Sequence, residues 1–236
     1  MSVARGRARP RATMVVVEED RFTTLAGDPG APLDRLALAL AAEFRPVDAG
    51  AALAALDALG VDLAAAVPDG AGPDAEVRAC TEVLGERHGF QGDRERYDAP
   101  ENSMLDLVLE RRRGLPILLS AIYVEAARRA GIALAGVGLP GHFVVGHFGA
   151  RPPLLLDPFA GGEALPAPPR EPGRIRPWGP HETVMRMLNN LVGSYTRRAD
   201  LGAALRAAEL RLALPSEGPA RVALTTELRA LQARLN

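Results

Sequence analysis

Apolar residues recur at helical spacing along the first part of the chain, and they predict three helices there. The first covers residues 33–44 and ends before Pro46, because proline cannot donate the backbone hydrogen bond of an interior turn. Asp48 is placed to cap a second helix over residues 49–59. A third, over residues 73–88, starts with a proline and has acidic residues close behind, as a first helical turn favours.

Two further helices are predicted near the middle of the chain. Ser103 and Asp106 have the spacing of a capping box, and Gly114 is placed to end the helix that they open. Residues 116–130 are apolar on most of their helical surface, which is typical of a buried central helix. Gly131 can close this helix, because glycine readily adopts a left-handed conformation.

Beyond Gly131 the pattern changes from helical to extended. Three short strands separated by glycine and proline are predicted, namely residues 132–137, 142–148 and 154–156. A proline-rich loop follows over residues 165–180, and then helices over residues 180–198 and 201–214 with a weaker one behind them. Helices, then strands, then helices predict an α+β fold.

These elements divide the chain into four regions, namely residues 1–13, 14–92, 93–180 and 181–236. The first is an arginine-rich tail that we expect to be disordered, with Met14 as an alternative start of the protein. A nucleic-acid-binding arm is the other interpretation of this tail. The remaining regions are predicted to be an N-terminal helical layer, an α+β core and a set of C-terminal helices.

The composition narrows the classes of function. The formal net charge is −1 and aromatic residues make up 4%, which indicates neither a general attraction to nucleic acid nor a base-stacking surface. All 28 basic residues are arginines, which we attribute to codon bias. The single Cys80 excludes an internal disulfide and a multi-thiolate zinc site. No apolar run reaches the roughly 18 residues of a membrane-spanning helix. We therefore expect a cytoplasmic protein that binds neither nucleic acid nor membrane.

Two of the four histidines, His142 and His147, lie in one predicted strand. They are an odd number of positions apart, so their side chains point to opposite faces and a shared metal site is not expected. With no His-Glu-X-X-His pattern, we predict neither a metal nor a cofactor. His142 pairs better with Asp157, because a hairpin turning at residues 151–153 would set them side by side. Such a pair is either half of a catalytic triad or a hydrogen bond that locks a hairpin.

A catalytic pair needs a nucleophile, and each candidate has a structural explanation. Cys80 is expected to pack as a small apolar side chain. Ser120 can bond back to a carbonyl of its own helix, and Ser103 can cap a helix. Neither serine has the Gly-X-Ser-X-Gly context of a nucleophile elbow.

Four motifs, in this order along the chain, resemble the SirB-type branch of the transglutaminase-like superfamily. They are PENS (100–103), RRGLPI (112–117), GVGLPGHF (136–143) and DPF (157–159). Weaker similarity reaches back to LD (33–34) and FRP (44–46) and forward to MLNNL (187–191). The branch is named after a supposed regulator of bacterial invasion genes.

The resemblance implies a papain/transglutaminase-like core, in which a central helix packs on a small antiparallel sheet. In active members a cysteine begins this helix, and a histidine and an aspartate follow on successive strands. By the register of the motifs the cysteine position falls at Pro116, while His142 and Asp157 match the other two residues. Proline has no heteroatom for attack, so the nucleophile is lost. Longer members carry a tetratricopeptide-like region, of which residues 181–236 would be a remnant.

Two functions remain open. The first is a bacterial pseudoenzyme that binds a protein or peptide partner of unknown identity and has a regulatory role. The second is an unorthodox hydrolase or acyl transferase, in which His142, oriented by Asp157, acts as general base and Asn102 contacts the substrate or an oxyanion. A catalytic His142 should be open to solvent, and a sealed pair would favour structure. Direct control of transcription lacks a helix-turn-helix context or a basic stripe.

Overall fold

The computed structural model describes residues 21–166 and 175–234 of the 236-residue chain. The predicted tail, Met14 and residues 167–174 of the predicted loop lie outside the described residues. Within the described ranges, helices come first, a small antiparallel sheet follows and helices come last. The predicted α+β fold is confirmed.

Four helices precede the core, one more than the sequence predicts: α1 Phe22–Gly27, α2 Leu33–Ala42, α3 Ala49–Ala66 and α4 Pro73–Cys80. Helix α1 has six residues and is too short to show a helical period in the sequence. The predicted cap of α3 is confirmed, because the carboxylate of Asp48 accepts a hydrogen bond from the backbone N–H of Ala51. Helix α4 continues directly as a π-helical segment, Thr81–Arg87.

Helix α3 corrects the expectation about apolar length. It spans 18 residues with a mean hydropathy of 1.5, and within the described residues it alone is long and apolar enough to cross a membrane. The helix continues past the predicted end at residue 59 and carries two carboxylates, Asp57 and Asp62. In the fold these carboxylates pair with Arg129 and His88. Length and composition of one helix say little about a membrane by themselves.

Helix α5, Leu105–Arg111, does not begin with the predicted capping box. Ser103 belongs to a preceding 3-10 turn, and Met104 is the N-cap residue, without a side-chain hydrogen bond. The carboxylate of Asp106 instead forms an ion pair with Arg45. A long-range pair therefore takes the place of the local cap that the spacing suggests.

Helix α5 also ends before the predicted Gly114. Arg112 adopts a left-handed conformation, with a φ of 57°, and closes the helix. Gly114 belongs to a short parallel ladder between β1, Gln91–Gly92, and β2, Arg113–Gly114. A Cβ at Gly114 would lie 2.7 Å from the methyl carbons of Val108, so close packing rather than helix termination requires glycine there.

Helix α6, Pro116–Arg129, is the predicted buried central helix. Gly131, with a φ of 76°, follows its end as predicted. The guanidinium of Arg129 forms ion pairs with Asp34 of α2 and with Glu125, and both carboxylates are almost fully buried. Burial, together with the neighbouring Asp34, raises the pKa of Glu125. This network joins α6 to the N-terminal helical layer.

Four antiparallel strands form the sheet that packs on α6: β3 Leu134–Leu139, β4 His142–His147, β5 Leu154–Asp157 and β6 Glu163–Ala164. The strands lie in the sheet in chain order. Leu139 pairs with His142 at one end of the first hairpin, and Leu134 pairs with His147 at the other. One face of the sheet joins the main core, and the other covers a second apolar cluster around Val137, Val144 and Leu155.

Three helices complete the described fold: α7 Pro180–Arg197, α8 Leu201–Arg211 and α9 Gly218–Ala233. Helix α7 contacts α2 and the 3-10 turn before α5, and it packs along α8. Helix α9 contacts α8. The limits of the four predicted regions stay predictions, as does the tetratricopeptide-like origin of these helices.

Candidate functional site

His142 and Asp157 meet at one end of the sheet. His142 begins β4, Asp157 ends β5, and the two strands are antiparallel neighbours. The Nε2 atom of His142 lies 2.9 Å from Oδ2 of Asp157. The histidine side chain is 32% exposed and the aspartate 14%. No described residue bonds the second ring nitrogen of His142, so its Nδ1 is open to a ligand or to water.

The turn after β5 orients the aspartate. In the 3-10 turn Pro158–Ala160, the backbone N–H of Phe159 donates to Oδ1 of Asp157 at 2.9 Å, which leaves Oδ2 for His142. The ring of Phe159 stands edge-on to the ring of His142, with 6.4 Å between the centroids. Both carboxylate oxygens are therefore engaged, and the orientation of the pair is set.

Phe159 also connects the pair with the start of α6. A Cβ at Gly92 would lie 2.3 Å from the Phe159 ring, so the ring packs directly on the backbone of β1. Gly92 pairs with Gly114 of β2, and Pro116 begins α6 two residues later. The turn that holds Phe159 contacts α6 as well. The corner that carries the pair thus lies beside the segment that begins the central helix.

Arg186 of α7 holds the backbone of the hairpin that presents His142. Its Nη2 donates to the carbonyl of His142 at 2.9 Å, and both Nη atoms lie 3.3 Å from the carbonyl oxygen of Leu139. The guanidinium lies over the rings of Phe143 and Trp178, 5.4 and 5.7 Å from their centroids. Burial lowers the pKa of Arg186. The position of His142 is therefore set from α7 as well as from the sheet.

Asn102 is fully buried in the 3-10 turn Pro100–Ser103. Its Nδ2 donates to the carbonyl of Arg96, and its Oδ1 accepts from Arg111, both at 2.7 Å. Its own carbonyl accepts from the backbone N–H of Leu115, the N-cap residue of α6, at 3.1 Å. This geometry favours a positioning role, and the contact with a substrate or an oxyanion that the enzyme hypothesis gives to Asn102 stays a prediction.

The candidate nucleophiles are buried. Cys80 is inaccessible, as its predicted packing requires, and burial raises the pKa of its thiol to about 12, with a further contribution from Glu76. Ser120 is also inaccessible, and its hydroxyl faces the carbonyl of Phe143 on β4 at 3.5 Å instead of bonding within its own helix. Ser103 is 2% exposed and caps no helix.

His147 lies apart from His142, at the other end of β4. It is 2% exposed, its Nε2 meets the carboxylate of Glu76 on α4, and its Nδ1 accepts from the backbone N–H of Gly149. Across residues 21–166 and 175–234, no group of three or more histidine, cysteine, aspartate or glutamate side chains is arranged to hold a metal ion.

Three residues shape the site without being singled out by the sequence. Phe159 lies in the quoted motif 157–159, so an aromatic side chain next to the aspartate is the signal that could have found it. Tyr97, 47% exposed, stands edge-on to Phe159 at 5.9 Å. Tyr97 and Arg186 lie far from His142 and Asp157 in the sequence, and no local sequence pattern predicts such long-range contacts.

The fold and the pair together define a class, that of transglutaminase-like proteins. A family model described as the transglutaminase-like superfamily matches residues 50–172, which is more than half of the chain. The chain belongs to this superfamily. No solved structure matches it.

The chain is also similar to bacterial proteins named UPF0162. One from Xylella fastidiosa is 36% identical over 168 residues, which are 61% of this chain and 57% of that protein. One from Pseudomonas aeruginosa is 37% identical over 141 residues, or 58% and 50% of the two chains. F-box only protein 21 from Homo sapiens is 38% identical over 63 residues, or 27% and 10%. The chain spans about half the length of these two bacterial relatives.

Proposed function

We propose that the chain is a non-catalytic module that binds a protein or peptide partner in the cytoplasm and has a regulatory role. We further assign it to the SirB-type branch of its superfamily. The observation that carries this proposal is the state of the one thiol in the sequence. The thiol of Cys80 is fully buried in the core, and burial raises its pKa to about 12. Pro116 is the first residue of the central helix. A thiolate nucleophile beside His142 therefore has no source.

The surroundings of His142 support binding. The ring of Phe159 contacts both the partly exposed imidazole of His142, with its free Nδ1, and the half-exposed ring of Tyr97, so we take these three side chains as one proposed surface. Aromatic side chains with a polar group are favourable contact residues, because they bury much area at a small entropic cost. A rigid, partly apolar corner of this kind suits a protein or peptide ligand.

The open geometry of the pair favours one alternative, an unorthodox hydrolase or acyl transferase. His142 would accept a proton at Nδ1 from water or from a substrate hydroxyl or amine, and Asp157 would stabilise the imidazolium. The distance of 2.9 Å and the solvent access of His142 satisfy the geometric demands of this role.

A screen for amide hydrolysis and acyl transfer separates the two functions. We expect no turnover by the wild type or by His142→Ala. Pro116→Cys places a thiol in the first turn of α6, a buried position where the helix N-terminus lowers the pKa of a thiol, and it should gain thiol reactivity. The Pro116→Cys, Cys80→Ala double variant is the control that assigns any new reactivity to position 116. Turnover in the wild type that is lost in His142→Ala would refute the binding module and support the enzyme.

Partner capture tests the binding role directly. Tyr97→Ala and His142→Ala should each reduce the recovery of a partner from cell extract, because both side chains belong to the proposed surface. Val222→Ala is the matched control, since Val222 is an exposed apolar residue on α9. Equal recovery by all three variants would show that binding does not use this site.

A further inference from the structure

A polar pocket beside α7 shares Tyr97 with the site described so far and otherwise lies outside it. It has a volume of about 140 Å³ and lies between residues 97–99, Ser103, Leu115 and one side of α7. The α7 side carries small and polar residues at helical spacing, namely Asn190, Gly193, Ser194 and Arg197. The pocket thus opens next to the residue that caps α6.

Ser103 and Asn190 are polar side chains that line the pocket and have no hydrogen-bond partner among residues 21–166 and 175–234. Ser103 is 2% exposed, and nothing in these ranges bonds its hydroxyl. Asn190 is half-buried, and its amide is equally free. The adjacent Asn189, by contrast, accepts a hydrogen bond from Arg211. The unpaired hydroxyl of Ser103 can both donate and accept a hydrogen bond, so it offers a contact to a ligand or a water molecule in the pocket.

The charges around the pocket cancel. Both oxygens of Asp98 are held by the guanidinium of Arg197, at 2.5 and 3.2 Å, and the hydroxyl of Ser194 donates to the carbonyl of Asp98. No unpaired charge is left at this rim to select an anion. The free groups include the carboxamide of Asn190 and the hydroxyl of Ser103, which can each donate and accept and so can pair with the N–H and C=O of a peptide group.

Two residues, Arg186 and Tyr97, connect the pocket with the His142 site. Arg186, which holds the carbonyl of His142, lies one turn before Asn190 on the same face of α7. Tyr97 lines the pocket and packs against Phe159, the neighbour of His142. The stretch of α7 from residue 186 to residue 197 is about 16 Å long, which matches about five residues of extended chain.

We propose that this pocket is a main-chain-binding subsite for an extended peptide that runs along α7 toward His142. The amide of Asn190 donates to a peptide carbonyl and accepts from a peptide N–H, and the hydroxyl of Ser103 bonds the same segment. This subsite rests on the proposed peptide-binding function. The subsite implies in addition that the partner presents an extended segment, whose main-chain N–H and C=O groups are bound here rather than its side chains.

The test uses acetyl-tetraalanine amide, a peptide without functional side chains, titrated into the isotope-labelled full chain. We expect a saturable shift of the Asn190 side-chain NMR signal and none at Gln232, an exposed amide on α9. Asn190→Ala and Ser103→Ala should each weaken binding about fivefold, and Gln232→Ala should leave it unchanged. Methylation of the peptide nitrogen whose N–H donates to Asn190 removes that hydrogen bond. It should weaken binding to the wild type about fivefold and leave binding to Asn190→Ala unaltered.

Two results would overturn the subsite. One is the absence of a saturable change at Asn190. The other is a change with inorganic phosphate and none with the peptide, which would define an anion site. The outcome is separable from that of the proposed function. If a partner binds Asn190→Ala normally but does not bind His142→Ala, the subsite is contradicted and the proposed surface is not. If the peptide binds at Asn190 while His142→Ala still binds the partner, the proposed surface is contradicted and the subsite is not.

Discussion

Strand β4 carries a histidine–carboxylate pair at each end, and the two pairs differ in almost every respect but their chemistry. His142 meets Asp157 from the neighbouring strand, is 32% exposed and keeps one ring nitrogen free. His147 meets Glu76 from α4, is 2% exposed and uses both nitrogens, the second as acceptor from Gly149. A histidine beside a carboxylate is therefore no signature of function. Access and a free nitrogen distinguish the candidate site from the structural pair.

The largest difference between the pairs should appear in stability. His147→Ala removes a packed ring and leaves Glu76 without its partner, so we expect a loss of about 2–3 kcal/mol in the free energy of unfolding. His142→Ala removes an exposed partner and should lose less than about 1 kcal/mol. Urea unfolding of the two variants and the wild type at neutral pH measures both values. Equal losses would mean that the open pair is as structural as the sealed one.

A second prediction concerns Cys80, whose thiol lies near Glu76 of the sealed pair. Its folded pKa of about 12 exceeds the ordinary value of 9.0, so the unfolded chain loses its proton first as the pH rises. Stability should therefore fall between pH 9 and pH 12, by about 1 kcal/mol from pH 9 to pH 10 for this group.

Cys80→Ala provides the comparison for this prediction. Its free energy of unfolding should fall less steeply than that of the wild type across the same pH range, whatever its stability at neutral pH. The native thiol should also resist a disulfide reagent until the chain unfolds. Rapid reaction of the Cys80 thiol in the native protein would contradict the burial of this residue.

The smallest expected effect is chemical and leaves the fold intact. Diethyl pyrocarbonate at neutral pH should modify His142 in the native protein well before His147, because the side chain of His142 is 32% exposed and that of His147 is 2% exposed. Mass spectrometry of the digested protein assigns the modified ring. Asp157→Asn should leave this order unchanged, and early modification of His147 would remove the distinction between the pairs.

Several features were accessible to sequence reasoning because they are local. The Asp48 cap needs only an acceptor side chain three residues before an N–H, and the buried α6 follows from its apolar pattern. The Ser103 cap fails for the opposite reason, since Asp106 is drawn to Arg45, 61 positions away. Spacing alone cannot reveal such competition from a distant charge.

The residues of the candidate site also divide into those predictable from local spacing and those brought in by long-range contacts. His142 and Asp157 were within reach of the sequence, because a hairpin brings nearby positions together. Arg186 and Tyr97 were not, since Arg186 contacts a carbonyl 44 positions away and Tyr97 meets a ring beyond β5. No periodic pattern and no motif in the sequence predicts either contact.

By itself, the sequence determined the α+β order of the elements, the proline at the start of the central helix and the candidate pair at positions 142 and 157. These follow from residue types and short spacings, which act within one or two elements. Only the tertiary structure decided which histidine is open, that the thiol of Cys80 is sealed, and that Ser103 and Asn190 face one pocket. Burial and long-range contacts set these properties, because solvent access depends on how whole elements pack and not on the neighbours of a residue in the chain.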